Sequence, residues 1–262
     1  MPKRVMLMWA GGKESSLSYK KIIDGGDEVV SLCVLTDQGR GVYNTVFRGV
    51  RTQRNYIPIN LIERQAEVLG IPLIQIPIND IQSLSQYYDS LDEWAEKCTD
   101  VYSQFKQEGG THIAFGYHTS MCLESKNVGM AGLEPLYPLA NMTEDQIVNE
   151  LIVNSFKAVI IRTNNSVYGS AGGRHEECGQ QWGGSVCAAA KQSGASQIGE
   201  DGTFGTFCYD GPIFPTPINV NADTLVTMEV DNFISTATVY ELNALNVLQH
   251  GAIRTFAELS LV

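Results

Sequence analysis

The sequence predicts an α/β fold in which a five-stranded, mostly parallel sheet carries helices on both faces. Three observations carry this reading. Near-continuous apolar runs recur between Val5 and Arg162, as strands covered on both faces require. Segments with apolar residues at helical spacing alternate with those runs. Glycines mark several of the junctions between the two kinds of segment.

Val5 to Trp9 is the first strand. Ala10-Gly11-Gly12-Lys13-Glu14-Ser15-Ser16 follows, then a helix with Leu17, Ile22 and Ile23 that Gly25-Gly26 ends. Val29 to Leu35 completes a βαβ unit. A helix from about Asn55 to Leu69 aligns Ile59, Ile62, Ala66 and Leu69, and Gly70 stops it before a third strand, Ile71 to Ile76. From Ile81 to Phe105 the apolar residues again fall at helical spacing. Thr111 to Gly116 is the fourth strand, and a helix is expected near Thr119 to Ala131. Thr143 and Gln146 form a capping box that opens a helix through Leu151. Lys157 to Arg162 is the fifth strand.

Beyond Thr163 the pattern changes. Asn164 to Gly205 is rich in Gly, Ser, Gln and Asn, and reads as a loop layer or a short helix flanked by loops. Strands are expected at Leu225 to Val230 and Ala237 to Tyr240, then a short helix at about Glu241 to Leu248. The chain divides into an N-terminal unit, 1–119, and a C-terminal unit, 120–262, in which a smaller α+β region follows the sheet.

The chain has 262 residues, enough to bury a sizeable core, and a formal net charge of −11. That charge repels phosphate backbones, so nucleic acid is a disfavoured partner. The basic start and short apolar run at Met1 to Trp9 do not make a signal peptide, and no stretch approaches the ~18 apolar residues that span a bilayer. A cytoplasmic protein is expected. Six scattered cysteines without a C-x-x-C pair argue against a disulfide framework; Cys33, Cys98 and Cys122 lie in apolar patterns and read as core residues.

Gly11-Gly12-Lys13 sits where a buried strand hands over to a helix, and open α/β sheets bind ligands at the carboxyl ends of such strands. Two glycines allow close approach to an anion, and the free N–H groups of the helix start point toward it. Lys13 adds a charge, while Ser15 and Ser16 add hydroxyl donors. The spacing is neither that of a Walker loop nor that of the dinucleotide fingerprint, so the pattern by itself also fits a tight turn that binds nothing.

Ala10-Gly11-Gly12-Lys13-Glu14-Ser15 resembles the PP-loop, S-G-G-x-D-[ST], of N-type ATP pyrophosphatases. Three further segments are similar to the diphthine–ammonia ligase family within that superfamily: Gln65 to Leu73, Gly132 to Leu139, and Gly199 to Phe207 with Asp210 to Phe214. The resemblance runs from about residue 5 to 215 in the same order. It implies a PP-loop fold of the adenine nucleotide α-hydrolase type, with 1–119 binding ATP and 120–262 the acceptor. It also implies ATP and Mg²⁺ as cofactors, and a ligase that adenylates a carboxylate, releases pyrophosphate, and passes ammonia or an amine to the acyl group. The implied nucleotide-binding set is Ala10, Gly11, Gly12, Lys13, Ser15, Ser16 and Gly116. Lys13, Glu14 and Glu200 form the catalytic set, and Glu134, Glu200, Asp201, Thr203 and Thr206 the acceptor-binding set. No protein metal site is implied.

The chain departs from the family pattern at several points. Ala10 stands for the usual Ser and Glu14 for the usual Asp. Glu200-Asp201-Gly202-Thr203 replaces E-G-G-E, and Phe115-Gly116-Tyr117-His118 replaces an F-G-D-I start. The acceptor half therefore looks rebuilt, and an acceptor other than diphthine is expected. His118 stands where a general base or a rim residue would stand. His175, Glu176, Glu177 and Cys178 are adjacent in sequence and read as a polar loop before a metal site. Two alternatives stay open: a sulfurtransferase using exposed Cys178 and Cys187, and a module that binds ATP or AMP without turning it over. Self-association is expected to use the residues past Pro217.

Overall fold

The computed structural model describes residues 1–37, 42–43, 47–48, 51–52, 57–78, 84–116, 127–164, 177–199, 204–235 and 246–261. Five parallel strands form its first sheet, in the order β7 (Leu73–Ile78), β2 (Glu28–Asp37), β1 (Arg4–Met8), β8 (His112–Phe115) and β9 (Glu134–Leu136). Two short strands, β3 (Val42–Tyr43) and β6 (Ile57–Pro58), add antiparallel pairs beside β2. A separate ribbon joins β4 (Phe47–Arg48) to β5 (Arg51–Thr52).

Both faces of this sheet are buried, as the continuous apolar runs require. Val5, Leu7, Leu32, Val34 and Ala114 face one core, which α1 (Lys13–Asp24), α2 (Ile59–Leu69) and α4 (Glu144–Val153) also line. Met6, Cys33, Leu35, Ile113 and Phe115 face the other, together with Cys98, Tyr102 and Phe105 of α3 (Leu84–Gln107). Successive residues of β1 thus point to opposite faces, the period-two geometry of a strand.

The fifth parallel strand is not the expected one. Glu134–Leu136 occupies that place, while β10 (Lys157–Asn164) lies in a second, antiparallel sheet of order β11-β10-β13-β12. That sheet joins β10 to β11 (Phe204–Asp210), β12 (Val220–Ser235) and β13 (Asn246–Leu261). Sequence reading passes over β9 because it is three residues long and contains Pro135, which lacks a ladder donor. At the sheet edge that defect is harmless. The apolar side chains of β10 satisfy a buried strand in either sheet, so burial could not say which. Of the helix expected at Glu241 to Leu248, Asn246 to Leu248 belong instead to β13, while Glu241 to Leu245 and the strand expected at Ala237 to Tyr240 lie outside the described residues.

Thr143 caps α4 as expected: its hydroxyl accepts from Gln146 N at 3.2 Å, and Gln146 Oε1 accepts from Thr143 N at 2.7 Å. Gly70 ends α2 in the left-handed conformation, with φ 68°. Within the Gly- and Ser-rich stretch, α5 (Gly184–Gln192) is a short helix flanked by turns. The second sheet does not stand apart: Val159, Phe204, Phe207 and Cys208 share one core with Leu7, Leu17 and Ile62.

Candidate functional site

The Gly-rich loop lies at the carboxyl end of β1, at the point where the sheet order reverses. The chain leaves β1 for β2 on one side, and only after β7 does it cross to β8 on the other. Connections that diverge at one strand end leave a crevice there, the usual ligand site of an open α/β sheet. Gly11 takes φ +70°, a left-handed conformation that side chains disfavour. A Cβ on Gly11 would also lie 2.5 Å from Ile62 Cδ1. Gly12 caps α1 with no side-chain bond, which leaves the amides of the first turn to other partners.

Gly116, just past β8, faces that first turn. A Cβ there would sit 3.2 Å from Ser15 Cα and 3.3 Å from Ser15 N. The residue after β8 therefore packs closely on the first turn of α1. Ser15 Oγ accepts from Ala10 N at 3.1 Å and keeps its own proton for donation. Ser16 behaves differently: its hydroxyl donates to Gly12 O at 3.0 Å, so it braces the loop and does not face the crevice.

Strand β11 crosses the loop from the other side. Cys208 N donates to Gly11 O at 2.8 Å, and Lys13 N to Thr206 Oγ1 at 3.4 Å. Thr206, expected at the acceptor, thus touches the loop itself. Gln65 locks the junction from full burial. Its amide donates to Gly11 O at 3.0 Å and Cys208 O at 2.6 Å, and its oxygen accepts from Trp9 Nε1 at 2.7 Å. Sequence reading placed Gln65 in a similar segment and missed this role. A Gln among apolar residues on a helix face, opposite a glycine loop, was the available signal.

Lys13 points toward the region between α5 and β11. It is 2% exposed, its Nζ donates to Ile198 O at 2.8 Å, and it pairs with the Glu14 carboxylate. Its ammonium also lies 5.4 Å from the Trp182 ring centre and 5.0 Å from that of Phe204. Two aromatic faces, a carboxylate and a carbonyl together offset its desolvation. The sequence analysis expects this lysine at an anion; here the α5 to β11 region supplies its partners.

Glu134 is not part of this constellation. It begins β9, at the amino edge of the sheet opposite the loop, where its side chain is exposed and lies 3.5 Å from His112 Nε2. Parallel strands run the same way, so the start of β9 and the end of β1 lie at opposite edges of the sheet. Glu200, Asp201 and Thr203, with His118, Cys122, His175 and Glu176, lie outside the described residues. Cys178 and Cys187 are each 3% exposed, and burial pushes the Cys187 thiol up to about 11. That environment disfavours the thiolate a sulfur relay needs. Among the described residues, no three His, Cys, Asp or Glu side chains converge as a metal site. Glu14 is the carboxylate at the loop, and a Mg²⁺ held chiefly by phosphates needs no more than one or two. Also among the described residues, no helix is long and apolar enough to cross a membrane.

No protein-family model matches this sequence, and no curated protein matches it.

Proposed function

We propose that the chain is an ATP-dependent, AMP-forming ligase that adenylates a carboxylate and transfers ammonia or an amine to it. The observation that carries this reading is the Gly-rich loop at the carboxyl ends of β1 and β8, where the sheet order reverses. There Gly11 takes a left-handed φ, α1 starts without a side-chain cap, and Gly116 packs against Ser15, the backbone setting in which helix-start amides bind anions. The resemblance of Ala10 to Ser15 to a PP-loop makes that anion the triphosphate of ATP.

In this reading the acceptor carboxylate attacks the α-phosphorus and pyrophosphate leaves. The amides of Gly12 and Glu14 and the Ser15 hydroxyl stabilise charge on the departing group, an electrostatic role. Lys13 joins them once it leaves its inward position. Glu14 orients the phosphates or the Mg²⁺, which supplies charge neutralisation. The resemblance assigns Glu200 to the acceptor or the incoming ammonium, and Thr206 lies where β11 meets the loop.

Calorimetry with Mg-ATP, followed by analysis for AMP and pyrophosphate across a pool of carboxylate metabolites, tests the proposal. ATP binding with acceptor-dependent AMP release is expected; no association of any adenine nucleotide would sink it. Lys13→Ala is expected to lower pyrophosphate release by about 100-fold or more while the circular dichroism spectrum is kept. A second reading, a nucleotide-binding module without turnover, draws support from the inward Lys13. Bound ATP without AMP from any acceptor would select it.

A further inference from the structure

The nucleotide reading needs Lys13 at the phosphates, yet its ammonium is engaged elsewhere. The partners that engage it come from one short region. Trp182 stands just before α5, Ile198 in the turn after it, and Phe204 at the start of β11. That turn is itself tightly built. Trp182 Nε1 donates to Gln197 O at 3.4 Å, and Glu144 accepts from Ser196 Oγ at 2.6 Å and Gln197 N at 2.9 Å. Gly199 takes φ +78°, and a Cβ there would lie 2.5 Å from Phe204 O, so the turn closes directly on the strand that flanks Lys13.

We propose that Trp182, Phe204, Glu14 and the Ile198 carbonyl form a latch that holds Lys13 out of the crevice, and that nucleotide binding draws Lys13 off it. The proposal rests on the nucleotide reading above. Its physical basis is competition for one cation. A triphosphate offers more negative charge than the Glu14 carboxylate and the carbonyl dipole, so the ammonium gains by moving to it. The departure leaves the Ile198 carbonyl without its donor. The Ser196 to Gly199 turn is thereby loosened, and that turn leads directly into Glu200. ATP binding is thus coupled to the Ser196 to Gly199 turn.

Latching also lowers apparent affinity, since only the unlatched fraction binds. Phe204→Leu keeps the apolar volume and removes one cation–π face. It is expected to bind Mg-ATP about threefold to tenfold more tightly by calorimetry. In the unmodified protein, hydrogen exchange over residues 193–199 is expected to speed up when Mg-ATP binds, opposite to ordinary ligand protection. If Mg-ATP binds but that exchange stays unchanged or slows, the latch is overturned and the nucleotide site stands. A well-folded Phe204→Leu protein with equal or weaker affinity overturns it in the same way. If neither protein binds Mg-ATP, the nucleotide reading fails and the latch falls with it.

Discussion

Gly11 and Lys13 are separated by one residue, yet opposite forces fix them. Gly11 is held by sterics: its φ of +70° and the 2.5 Å approach to Ile62 exclude a side chain whatever the loop binds. Gly11→Ala is expected to cost about 2 kcal/mol or more, lowering the melting temperature by roughly 4 to 8 °C. A melting curve checks it; an unchanged midpoint would mean that the loop relaxes. Lys13 is held by electrostatics, and its partners can be exchanged for others of the same sign. For that reason the residue type was legible in sequence while its direction was not. Ser15 and Ser16 divide in the same manner, one facing Gly116 and the other bonding back to Gly12.

At the scale of elements, local signals held where the stabilising contacts are local. The Thr143–Gln146 box is complete within four residues, so sequence alone placed the start of α4. Thr143→Ala is expected to cost about 1 kcal/mol, read as a fall of roughly 2 to 4 °C in the melting temperature. β9 shows the converse. Its three residues pair because β8 presents a free edge, a condition no window of sequence contains. The placement of β10 likewise depends on β11 and β13, which follow it by forty residues or more.

For the whole molecule, the two sheets meet through Gln65. Its amide binds carbonyls of the loop and of β11 at once, and its burial makes those bonds costly to lose. Gln65→Leu is expected to cost about 2–3 kcal/mol, chiefly by leaving the Trp9 indole N–H and a backbone carbonyl unpaired. Chemical denaturation measures this directly. The shared core also contains thiols whose ionisation burial opposes, Cys187 pushed up to about 11 and Cys208 to about 12. The unfolded chain releases these protons at a lower pH than the native one, so stability is intact below the ordinary thiol range and declines as pH rises through it toward 11. Cys187→Ala is expected to flatten that decline between about pH 9 and 11, as denaturation midpoints across that range would record.

Legible from the chain alone were the α/β class, the four apolar strands that end with β8, the cap of α4 and the glycine loop after β1. Each rests on periodicity or on residues adjacent in the chain, which the backbone must honour before any long-range contact forms. Long-range contacts place Glu134–Leu136 as the last strand of the parallel sheet, β11 against the loop, Glu134 at the far edge, and Lys13 toward Ile198, Trp182 and Phe204. Those outcomes are settled by free sheet edges and by competition for a buried charge among residues far apart in sequence, and neither leaves a periodic trace along the chain.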